Sequence, residues 1–109
     1  MSRFAAVLDR LALVIASRRG GDPAASWSAR LIADKPLAAK KLAEEAIEAA
    51  LSAVQGDRSA LISESADVVY HLLVLLAAAD IPLDAVAQEL EAREGRSGLE
   101  EKATRSSKG

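Results

Sequence analysis

Two stretches of this chain place carboxylates at helical spacing among apolar residues, and this restricts the possible folds more than any other feature. The first is Glu45-x-x-Glu48, with Glu44 beside it, inside the segment 41–51; the second is Glu64-x-x-Asp67, inside 61–73. Residues three apart share a helix face, so the members of each pair point the same way. Leu37, Glu44 and Leu51 fall seven apart in nearly one stripe flanked by Ile47, which puts Glu44 and Glu48 at the border of the apolar face. In the second stretch Asp57, Glu64, His71 and Ala78 form another such stripe, with Leu61, Val68 and Leu75 alongside and no Lys or Arg in it. A carboxylate taken out of water costs several kcal/mol unless it is paired. If the two helices pack with these faces together, four or five carboxylates converge. A hard divalent cation is then the simplest compensation, and an all-oxygen donor set suits Mg²⁺, Mn²⁺ or Ca²⁺.

The plain alternative is solvated surface charge. Lys40 stands four residues before Glu44 and Lys41 four before Glu45, so two ion pairs are available along the helix. Such pairs contribute only about 0.2–0.5 kcal/mol each, and lysine before glutamate is the weaker orientation. The recurrence of the same spacing on two helices favours the metal reading. A di-iron site wants Glu-x-x-His on two helices, and His71 is the single histidine of the chain. Zinc hydrolysis fails for the same reason, since there is no cysteine either. His71 follows Asp67 by four and reads as a satisfied core or interface histidine, or as a hydrogen-bonding neighbour of the carboxylates or a substrate contact.

The rest of the chain frames these two helices. Its 109 residues suit one domain. Half are apolar, but only one Trp, one Tyr and one Phe occur, so alanine and leucine carry the apolar surface and favour helices. A small aromatic-poor helical core is often completed by oligomerisation. The net charge of −2 offers no general attraction to nucleic acid or anionic lipid. The absence of cysteine fits a reducing cytoplasm. The charged start does not resemble a secretory signal, and the longest apolar run, 72–79, is far short of the ~20 residues that span a bilayer. Spacing and punctuation predict five helices: 2–18, 27–33 capped by Ser26, one from near Pro36 to about Gln55, one from Asp57 through Ala79, and about 83–94. The expected class is all-α, a four- to five-helix bundle, with one helical domain over 1–95 and a polar basic tail over 96–109 that is mobile without ligand.

The pattern Glu44-Glu45-x-x-Glu48 followed by Glu64-x-x-Asp67 resembles the metal-binding motif of the all-α nucleoside-triphosphate pyrophosphatase superfamily. Within it the chain is most similar to the phosphoribosyl-ATP pyrophosphatases. The stretches that single out this family are 67–73 (Asp-Val-Val-Tyr-His-Leu-Leu) and 97–102 (Ser-Gly-Leu-Glu-Glu-Lys), with further similarity at 26–31, 41–48 and 81–86. Trp27 stands where tyrosine is common, Ala43 where glycine is common, and Lys35-Pro36 where a glycine-bearing turn is expected. The resemblance implies that Glu45, Glu48, Glu64 and Asp67 hold Mg²⁺, with Glu44 a further ligand or the group that orients the attacking water. It implies hydrolysis of the α–β phosphoanhydride of 1-(5-phosphoribosyl)-ATP, in histidine biosynthesis, by a homodimer or larger assembly.

That substrate carries a second phosphate on ribose, so cations beyond the metal are expected. Lys41, Arg96, Lys102 and Arg105 are the candidates, with Arg18 and Arg30 weaker ones. Trp27 reads as a core anchor or as a surface stacking on the adenine, and Tyr70 as core or interface. A nucleotide pyrophosphatase acting on dUTP or dCTP, and a non-catalytic helical dimerisation module, are the competing expectations.

Overall fold

The structure, a computed structural model, describes residues 2–95. Its elements are helices α1 (Arg3–Ser17), α2 (Trp27–Ile32), α3 (Lys35–Val54), α4 (Arg58–Ala78) and α5 (Leu83–Arg93). The all-α expectation holds among the described residues, and each helix lies within a few residues of its predicted bounds. The tail from Arg96 onward, with Lys102 and Arg105, lies outside the described residues.

The helix starts are set by side chains that take up backbone N–H groups left open in a first turn. Ser2 accepts from Ala5 N at 3.1 Å, Ser26 from Ala29 N at 3.1 Å, Asp34 from Leu37 N at 3.1 Å and Asp57 from Ala60 N at 3.0 Å. The third helix therefore begins one residue before Pro36, which sits in its first turn where no N–H is needed. Between α3 and α4 the chain reverses through Gln55-Gly56-Asp57, with Gly56 at φ +72°, a left-handed conformation that costs glycine nothing.

The α3–α4 hairpin is the backbone of the fold. Helices α1 and α2 close over α4, and α2 also meets α3. Ile15, Leu31, Ile32, Ala38, Leu73 and Val74 form the buried core, at the end of the hairpin away from its turn. Helix α4 is less enclosed than its mostly apolar second half suggests: His71, Leu73 and Val74 are buried, but Leu72 is 41% exposed. By length and composition α4 could also cross a membrane, with a mean hydropathy of 1.6, which the short apolar run in the sequence did not suggest. In this structure it is instead the central helix of the bundle, packed by α1, α2 and α3 and carrying Glu64 and Asp67.

Candidate metal centre

An antiparallel hairpin with its turn at Gly56 fixes which carboxylates meet. Glu48 and Glu64 each lie eight residues from Gly56, and Glu45 and Asp67 each lie eleven from it. Folding the chain at that glycine brings Glu48 level with Glu64 and Glu45 level with Asp67. Oxygens of Glu45, Glu48 and Glu64 do converge, all within 4.8 Å of one another. Glu45 and Glu64 are half-buried and Glu48 is exposed, so the cluster sits at the mouth of the α3–α4 groove.

Three acceptor-only groups this close have no hydrogen to share when all are ionised. Accordingly Glu64 Oε2 is buried without a hydrogen-bond partner. A proton on Glu64 relieves the crowding by bridging to Glu45. That hydrogen bond, with burial next and then contact with Glu48 and the charges of both neighbours, pushes the Glu64 pKa from 4.5 up to about 7. A cation would relieve it equally, and the donor set is the hard-oxygen kind that suits Mg²⁺ or Mn²⁺. The orphaned oxygen and the all-carboxylate ring fit such an ion.

The other expected residues are placed differently. Glu44 is outside the ring of three; its carboxylate faces Lys40 Nζ at 3.9 Å and Lys41 Nζ at 3.7 Å. The Lys40–Glu44 pair is the one the spacing suggests, whereas Lys41 pairs with Glu44 rather than Glu45, because Glu45 turns into the groove toward Glu64. Asp67 is half-buried one turn beyond Glu64, and its carboxylate is not among the three that converge. Its main-chain carbonyl accepts from His71 Nδ1 at 2.7 Å; a carbonyl only accepts, so Nδ1 carries the proton. His71 is thus a buried, satisfied histidine, packed edge-on against Tyr70 with ring centroids 5.0 Å apart.

Two features were not settled by the sequence. Ser28 Oγ and Tyr70 OH lie 2.6 Å apart and tie α2 to α4 across 42 residues, a distance no local pattern bridges. Trp27 is not a core anchor: it is 45% exposed, with the Arg30 guanidinium 5.7 Å from its ring centroid. The three-residue spacing within α2 was the available signal for that pair.

An all-helical hairpin brings glutamates from both arms to one groove, a set of oxygen donors that could hold a divalent cation. Comparison with known proteins narrows the class. Residues 8–94 match the family model described as phosphoribosyl-ATP pyrophosphohydrolase. A phosphoribosyl-ATP pyrophosphatase of Caulobacter sp. (strain K31) is 58% identical over 107 residues, covering 98% of this chain and all of that protein. One of Paracoccus denitrificans (strain Pd 1222) is 59% identical over 99 residues, 90% of this chain and 92% of that protein. The chain belongs to the phosphoribosyl-ATP pyrophosphohydrolase family, as its motifs suggested.

Proposed function

We propose that this chain catalyses the Mg²⁺-dependent hydrolysis of 1-(5-phosphoribosyl)-ATP at its α–β phosphoanhydride. The products are 1-(5-phosphoribosyl)-AMP and pyrophosphate, in the second step of L-histidine biosynthesis. The observation that carries this reading is the convergence of Glu45, Glu48 and Glu64 around an oxygen with no partner. The family membership supplies the substrate.

Glu45, Glu48 and Glu64 would hold the ion, with Asp67 one turn along as a fourth ligand. When bound, Mg²⁺ or Mn²⁺ supplies Lewis acidity and counter-charge for the phosphate oxygens. The chain's own groups have positioning work to do, which is most of what phosphoryl transfer requires. Glu44 is a candidate to orient the attacking water from the rim of the groove, or to serve as a further ligand. It is held there by Lys40 and Lys41. The Lys41 side chain is 34% exposed beside the cluster and is suited to meet a phosphate of the substrate. The tail residues Arg96, Lys102 and Arg105 are proposed to meet phosphates of the substrate.

We infer a homodimer or larger assembly acting in the cytoplasm on a soluble nucleotide. The outer side of α3 supports the assembly: Ala43, Ala46, Ile47, Ala50, Leu51 and Val54 are all exposed there, Val54 by 86%. A groove between α1, α4 and α5 is likewise apolar, lined by Phe4, Leu8, Leu72, Leu83, Val86 and Leu90. The test of function is pyrophosphate release from phosphoribosyl-ATP, with dUTP and dCTP as competitors. Preference for either deoxynucleotide would reject the assignment.

A further inference from the structure

We propose that Trp27 and Arg30 form the nucleobase wall of the substrate site, with the indole stacking on the purine and the guanidinium meeting a substrate phosphate. This rests on the phosphoribosyl-ATP reading above and adds residues that the carboxylate centre does not use. An indole that is 45% exposed in the only tryptophan of the chain is left uncovered by the core. Arg30 lies over the ring, with its guanidinium 5.7 Å from the ring centroid, and makes no salt bridge among the described residues. The indole thus keeps substantial free surface, and its neighbour keeps its positive charge for a ligand.

The bond between Ser28 and Tyr70 ties α2, which carries the pair, to α4, which carries Glu64. Tyr70 follows Glu64 by six residues and Asp67 by three on α4. At a rise of 1.5 Å per residue it stands about 9 Å along the helix from Glu64. Ser28 is adjacent to Trp27 in sequence, so this bond anchors the segment that carries the indole to the same helix that carries Glu64 and Asp67. A triphosphate seated on the carboxylates then directs its base toward α2. Stacking on an aromatic face is tolerant of the base's edge, which in this substrate carries a ribosyl group on the purine ring. Arginine suits a phosphate there because its planar fork can offer two N–H donors to phosphate oxygens.

The test uses the full chain, whose emission under selective indole excitation comes from Trp27 alone. Phosphoribosyl-AMP and AMP with Mg²⁺ are expected to change that emission, and pyrophosphate with Mg²⁺, which lacks a base to stack, to change it less. Trp27→Leu is expected to raise KM for phosphoribosyl-ATP ~10-fold or more with little change in kcat, and Trp27→Phe to restore most of the loss. Arg30→Ala is expected to raise KM in the same way. An unchanged KM in Trp27→Leu, an equal emission change with pyrophosphate alone, or emission that shifts on protein dilution without nucleotide would overturn the proposal. The last result would place the indole at a contact between copies. If the wild type releases no pyrophosphate, the assigned reaction falls, while the fluorescence titration with AMP still decides the stacking.

Discussion

Glu64 is where the physics of this molecule concentrates. One of its oxygens is buried without a hydrogen-bond partner, and sharing a proton with Glu45, with burial and Glu48 adding to it, raises its pKa to about 7. The sign of the consequence follows from linkage: the folded state holds this proton more tightly than the unfolded chain. The stabilising effect is therefore complete below about pH 4.5 and is lost as pH rises through about 7. In chelator, thermal melts of the wild type should fall over that window. Glu64→Gln, which needs no proton there, should show a flatter profile while losing turnover. Mg²⁺ binding at the proposed site would displace the same proton, so calorimetric titrations below pH 7 in buffers of different ionisation enthalpy should reveal proton release. Buffer-independent heats would contradict that account. The acidic pairs and their facing direction were legible from the i, i+3 spacing alone. Which oxygens meet was not, because that depends on the hairpin register about Gly56 and on Glu44 turning to Lys40 and Lys41.

At the scale of elements, the α3–α4 hairpin is what delivers both glutamate sets to one groove, so its turn should matter to the site as well as to stability. Asp57→Ala removes the cap on Ala60 N and should cost about 1 kcal/mol in urea unfolding. Gly56→Ala puts a side chain at φ +72° with no atom within 4 Å of the added carbon. Its cost should therefore come from backbone strain alone, about 1 kcal/mol. A far larger loss would show that Gly56 has packing duties the geometry does not reveal. Helix bounds were legible because Ser26, Asp57, Gly56 and Pro36 are local signals whose meaning does not depend on the rest of the chain. The Ser28–Tyr70 bond and the exposure of Trp27 are tertiary facts, set by how α2 lands on α4, and propensity says nothing about either.

Among the described residues, the bundle is more open than a domain of its size usually is. The Cα radius of gyration is 16.1 Å, against about 13 Å for a compact 100-residue domain. Phe4, Ile47, Leu51, Val54, Ile62 and Leu90 are each more than half exposed. Sedimentation equilibrium should report a dimer or larger species, and Leu51→Glu should weaken it if the outer side of α3 is the contact. A wild type that stays monomeric at micromolar concentration would refute the assembly. The central claim is that glutamates from α3 and α4 act together on one phosphate-bearing substrate, and one assay tests it most directly. Purified protein is mixed with phosphoribosyl-ATP, with and without Mg²⁺, and pyrophosphate is followed for the wild type, Glu48→Gln and Glu64→Gln. The account predicts Mg²⁺-dependent release, one pyrophosphate per phosphoribosyl-AMP, that is lost in both variants while their helical content is unchanged. Release that persists in chelator, or that survives in either variant, would contradict it.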